Sequence, residues 1–242
     1  MSFPHQQFAR YIQQQCDSKQ DIDQNGLDER GGLYPIMQDF LGYHYPMNQF
    51  VFEREKFRPV EFGGKSAIDF SIYPNQGGDS KRIMIAEAKF MRDPKRAWGE
   101  EILNDIFRVA CVRRDVTNNA ERLVVVAGQE QCWNKALSQE YRLMRLICPL
   151  DRPVKGEPAP PLSFPIKLQK ELDPAFLQDH FGFNLRNEIH DKLPESMEIV
   201  CVGCVRSSRA MDDNPQQGIS VLIWKIDPKF SKNDSSELPL RD

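Results

Sequence analysis

The sequence predicts an α/β protein: a mixed β-sheet with helices on both faces, followed by a C-terminal extension. Three observations carry this. Residues 67–73 and 81–90 alternate apolar and polar side chains on either side of a Gly-rich loop, the period of paired strands. Segments 33–41 and 95–113 repeat apolar residues at helical spacing. Arg122-Leu-Val-Val-Val-Ala127 is short and almost wholly apolar, as in a strand covered on both faces. From residue 33 to 127 the order is therefore helix, three strands, helix, strand (αβββαβ).

Taken in order, residues 1–25 are glutamine-rich, with Phe8, Tyr11 and Ile12 spaced for a short amphipathic helix. Leu33, Ile36, Met37, Phe40 and Leu41 form one helical stripe that Gly42 is expected to stop. Residues 48–57 read as a strand and Gly63-Gly64 as a turn. In the strand 67–73, Ile68, Phe70 and Ile72 face one way and Asp69 and Ser71 the other. Residues 74–80 close a hairpin onto strand 81–90, where Ile83, Ile85, Glu87 and Lys89 share a face. Helices are expected over 95–113 and 130–148. Six prolines between Pro149 and Pro165 then predict an extended connector. Beyond it come a helix over 173–193, strands at 197–206 and 218–226 separated by a polar loop, and a frayed tail from 229 to 242. Two strands cannot bury a core alone, so they should pair and extend the first sheet, making residues 1–242 one domain with a core at about 28–148.

Composition narrows the function. The 242 residues are 40% hydrophobic and 28% charged, as in ordinary globular chains, with no apolar run near the roughly 20 residues that span a bilayer. The N-terminus lacks a basic start and apolar core, so the expected location is cytoplasmic. A net charge of −3 excludes a bulk electrostatic nucleic-acid binder but not a local basic site. Cys201-Val-Gly-Cys204 resembles half a metal knuckle, but it lies in a strand, where i and i+3 point apart, and no second pair follows at zinc spacing. The four histidines have no ligand-like spacing, and no Gly-x-Ser-x-Gly elbow is present.

The chemistry concentrates on Asp69, Glu87 and Lys89. Glu87 and Lys89 are two apart on one strand, and the hairpin brings Asp69 beside them. Two neighbouring carboxylates repel, and their usual stabiliser is a hard divalent cation, which can polarise a phosphodiester and activate water. Ile85-Ala-Glu-Ala-Lys-Phe90 sets two charges among apolar residues on what should be a central strand, an expensive arrangement unless they serve a site. Around them, Lys81 to Arg114 holds nine Lys or Arg against five Asp or Glu. Lys81, Arg82, Arg92, Lys95 and Arg96 are the candidate phosphate contacts, with Trp98 a minor candidate for base stacking.

Glu29-Arg30, Pro35-Ile-Met37, Phe40-Leu-Gly-Tyr43, Gly64-Lys-Ser-Ala-Ile-Asp-Phe70 and Ile85-Ala-Glu-Ala-Lys89 resemble the PD-(D/E)XK, or restriction-endonuclease-like, nuclease superfamily. The resemblance is closest to the nuclease domain of type I restriction motor subunits and their stand-alone relatives. It covers roughly residues 28–127. It implies a restriction-endonuclease-like core and Mg²⁺- or Mn²⁺-dependent cleavage of DNA, in restriction or anti-phage defence. Asp69 and Glu87 would bind the metal, Lys89 would order the attacking water, and Glu29 would be the acidic residue of the first helix. Type I relatives often carry Gln and Tyr on the helix after the active strand; here Glu101, Asn104 and Arg108 stand instead. No helicase motif follows, so any motor or specificity protein is another chain, and double-strand cutting would suit a homodimer. The rival expectation is a non-catalytic module that keeps the fold to bind nucleic acid or a partner protein. A third, an unrelated interaction protein, requires Asp69 and Glu87 to point apart.

Overall fold

The computed structural model describes residues 3–22, 32–64, 66–75, 81–113, 116–138, 141–150, 162–166, 173–206 and 218–230. Helix α1 (His5–Ile22) buries Phe8, Ile12 and Cys16, one per turn. Helix α2 (Tyr34–His44) accepts Pro35 in its first turn, where the missing N–H has no partner to lose. It runs through Gly42 to His44 rather than stopping there. A glycine ends a helix by turning left-handed, and Gly42 keeps a negative φ.

Three antiparallel strands follow, β1 (Phe50–Arg54), β2 (Phe70–Pro74) and β3 (Arg82–Met91). Helix α3 (Trp98–Cys111) then crosses to β4 (Val116–Gln129), which lies parallel to β3. The order helix, three strands, helix, strand is thus present between Tyr34 and Gln129. Strand β4 is longer than its apolar centre, because its polar first half still pairs at Val116 with Arg82.

The region after β4 departs most from the sequence reading. The helix expected over 130–148 is two, α4 (Glu130–Ala136) and α5 (Arg142–Ile147); the break lays the Tyr141 ring against Gly99, where a side chain would collide. The connector ends in a strand, β5 (Leu162–Ile166), whose Pro165 is tolerated because β5 is the sheet edge. The helix expected over 173–193 is broken by Gly182, left-handed at φ 75°. Its parts are α6 (Pro174–Phe176), widening into one turn at Leu177–Phe181, and α7 (Asn187–His190). Strands β6 (Ser196–Val205) and β7 (Ile219–Lys229) pair with each other, and β7 pairs with β4. The polar loop at 207–217 and the tail beyond 230 lie outside the described residues.

The result is a mixed seven-stranded sheet, ordered β1-β2-β3-β4-β7-β6-β5. Helices α1 and α2 cover one face with Met84, Ala86, Ala88, Phe90, Leu123, Val125, Val221 and Ile223 beneath them. Helices α3, α4 and α5 cover the other, over Ile85, Val124, Val126, Leu222 and Trp224. Since α1 packs on β6 and β7, the first residues of the chain hold the last strands in place. Among the described residues, no helix is long and apolar enough to cross a membrane.

Candidate active site

Strand β3 alternates as its sequence demands: Ala86 and Ala88 enter the α1/α2 face, and Glu87 and Lys89 point to α3. The β2–β3 register pairs Phe70 with Ala86, so the next position outward sets Asp69 opposite Glu87. There the ladder continues through a side chain: the Ala88 N–H donates to Asp69 Oδ2 at 2.8 Å. Asp69 reaches this place through the 55–68 loop, which Gly63 and Gly64 turn at φ 60° and 67° and which the Ile68 N–H ties to the Phe57 carbonyl at 2.8 Å.

The register brings the two carboxyl groups close enough for their charges to interact, and Glu87 is only 3% exposed. Burial, and then the neighbouring Asp69 charge, pushes Glu87 well above the usual carboxylate range; Arg108 pulls the other way and Asp105 adds to the rise. Arg108 Nη2 lies 2.7 Å from Glu87 Oε1, yet that oxygen accepts no aligned hydrogen bond. A buried, poorly satisfied carboxylate beside a second one is the donor set a hard divalent cation satisfies. No group of three or more His, Cys, Asp or Glu side chains among the described residues is arranged to hold a metal. Mg²⁺ commonly takes one or two carboxylates and completes its shell with water and phosphate, so Asp69 and Glu87 fit it.

Helix α3 supplies the rest. Because β3 and β4 are parallel, α3 runs back along β3, and early helix residues meet late strand residues. Lys89 Nζ lies 3.1 Å from Asp105 Oδ2 and 3.4 Å from Glu101 Oε2. Arg108, further along the helix, meets Glu87 and also donates to the Ala67 carbonyl just before Asp69. Asp105 is buried, and burial raises it while Lys89 draws it back. The sequence reading named Glu101 and Arg108 only as departures from a pattern and missed Asp105. Their signal was present: three charges at i, i+4 and i+7, along one side of a largely apolar helix.

The remaining candidates separate. Glu29 lies outside the described residues. Arg82 sits at the far end of β3, about 17 Å from Glu87 along the strand, and Lys81 precedes it. Arg82 is committed there, 2.8 Å from Glu53 and with its guanidinium 3.7 Å over the Phe57 ring. Arg92 and Lys95 are exposed just past the end of β3. Arg96 forks onto Glu101 at 2.8–3.1 Å. Trp98 is no stacking platform: it is buried, and its Nε1–H donates to the Asp93 carbonyl at 2.6 Å. Asn104 is structural, clamping the segment at Asn184 and Arg186 onto α3. Cys201 and Cys204 enter the same core rather than opposite faces, because a bulge between Cys201 and Gly203 shifts the register. Burial raises both thiols, Cys204 to about 11, as inert core residues rather than metal thiolates. One feature was missed altogether. At the end of β1 nearest Asp69, a cleft of about 260 Å³ is lined by Gln38, Phe52, Arg54, Lys56 and Phe70 among others.

No protein-family model matches the chain, and no curated protein or solved structure does. The class defined by fold and site is a mixed α/β protein with a buried glutamate facing a half-buried aspartate, a lysine on the same face and exposed cations beyond the strand end.

Proposed function

We propose that the protein is a Mg²⁺-dependent endonuclease of the PD-(D/E)XK type that hydrolyses DNA phosphodiester bonds. The observation that carries this reading is the meeting of buried Glu87 on β3 with half-buried Asp69 at the entry to β2, with Lys89 on the same face. Buried repelling carboxylates destabilise a fold, and packing alone gives no reason to keep them. Asp69 and Glu87 would hold the cation, which supplies a polarised phosphate and a water acidic enough to attack. Lys89 keeps a positive charge beside the position where negative charge builds. Arg92 and Lys95 hold the backbone phosphates of the substrate. A homodimer and a separate motor or specificity chain belong to the same proposal.

One observation favours the rival reading, a nuclease-fold module that binds without cutting: Glu87 already has Arg108 at 2.7 Å. The two readings part in one assay. Supercoiled plasmid incubated with the protein and Mg²⁺ should be nicked or linearised, and EDTA should stop it. Retention of the plasmid on the protein without any cleavage would establish the binding module instead.

A further inference from the structure

The active strand places a lysine where its ammonium has several directions open to it. A four-carbon stem leaves Nζ free to swing, so its position is set by what receives its hydrogen bonds. Its acceptors here include Asp105 at 3.1 Å and Glu101 at 3.4 Å, from residues one helical turn apart. They are not equivalent. Glu101 is shared with Arg96, itself more than half exposed, so part of its charge is spent at the surface. The Asp105 side chain is 6% exposed and lies on the inner side of α3 among Ile102, Leu103 and Ile106, where a hydrocarbon would be the cheaper residue. The other charges around it are Arg108 on the same helix and Asp69 and Glu87 from the sheet.

We propose that Asp105 is the positioning residue for Lys89, fixing the ammonium against α3 so that it faces the Asp69–Glu87 pair in one orientation. Glu101 is its second anchor, braced by Arg96. The inference rests on the nuclease reading and assigns a role to a residue outside the acid–acid–lysine set. Misplacing a catalytic group by about 1 Å costs on the order of 10²-fold in rate, which sets the scale of the effect.

The test compares wild type, Asp105→Asn, Asp105→Glu and Glu101→Gln at saturating Mg²⁺. For Asp105→Asn we expect kcat to fall on the order of 10²-fold while KM and duplex affinity in EDTA stay within about twofold. Asp105→Glu should recover part of the rate, and Glu101→Gln should lose less than Asp105→Asn. The second readout needs no cleavage: ¹⁵N relaxation of the Lys89 ammonium should report a held group in wild type and free rotation in Asp105→Asn. A purely structural role would lower Tm and leave the ammonium held in whatever folds. Should Asp105→Asn fail to fold, Glu101→Gln and Asp105→Glu give the same signs at smaller size. Wild-type kcat in Asp105→Asn, with Lys89 equally immobile, overturns the proposal. A wild-type protein that cuts nothing overturns the nuclease reading instead, and the relaxation data still decide whether Asp105 holds Lys89.

Discussion

Strand β3 has two faces with opposite characters. Toward α1 and α2 it presents Met84, Ala86, Ala88 and Phe90, packed among apolar side chains such as Phe70, Leu123 and Val125. Toward α3 it presents Ile85, Glu87, Lys89 and Met91, and the helix answers with Asp105 and Arg108. The other buried polar residues of the sheet, Ser71, Arg122 and Ser220, alternate onto this same second face. Both faces are equally dry, so solvent access does not explain the difference. On the α1/α2 face β3 contributes packing. The other gives up stability to hold charges in fixed relation, which is how sites for chemistry differ from cores.

The sharpest way to break this comparison is to neutralise the charges on the α3 face. Asp69→Asn and Glu87→Gln should each lower Mg²⁺-dependent plasmid cleavage by more than about 10²-fold, since an amide is a poor ligand for a hard cation. Duplex binding in EDTA should survive in both. Equal cleavage by mutant and wild type would remove these residues from the site.

The converse experiment places a charge on the other face. Ala86→Asp should destabilise the fold by about 3–5 kcal/mol in denaturant titration, because nothing among Leu123, Val125 and Phe70 can pair it. A loss under about 1 kcal/mol would show the two faces to be alike.

A smaller effect of opposite sign is expected from Glu87→Gln in the absence of metal. The folded-state pKa of Glu87 is raised, so as pH climbs past the ordinary carboxylate range the unfolded chain ionises first and stability falls. Glutamine mimics the neutral form and escapes this loss. The mutant should therefore be more stable than wild type at neutral pH, with the gap closing as the pH falls through the ordinary carboxylate range. Asp105 is raised as well and adds a slope of the same sign to both proteins. Mg²⁺, which requires the ionised form, should reverse the order of the two Tm values.

The smallest change in stability and the most selective in binding belongs to the cleft at the end of β1. Arg54→Ala with Lys56→Ala should move stability by no more than about 0.5 kcal/mol, since both residues are exposed. If they contact two phosphates, the slope of log affinity against log salt should flatten by about 2. An unchanged slope would leave phosphate binding to Arg92 and Lys95 alone.

What could be read in the sequence follows from range. The alternation of β3 and the hairpin that brings Asp69 to Glu87 are local, and they place the carboxylate pair without knowledge of the fold. The union of β6 and β7 with the sheet followed from area alone. Asp105 and Arg108 could not be assigned partners, because those partners are on β3 and depend on α3 running antiparallel to it. The bulge that brings Cys201 and Cys204 to one face allows α1 to approach Gly203, a contact between residues nearly 200 apart. Strand β5 was hidden by prolines that exclude a helix but not an edge strand. Trp98 reads as a stacking candidate until its indole N–H is seen donating into the backbone at Asp93.

The proposed function requires the α3 face to hold a divalent cation at its buried charges. Mn²⁺ titration, with free ion counted by its electron paramagnetic resonance signal, tests this without relying on cleavage. Wild type should take up Mn²⁺ at neutral pH and release it as Glu87 is protonated on acidification, and Asp69→Asn and Glu87→Gln should take up none at the same concentrations. Uptake by either mutant equal to that of wild type would contradict the account.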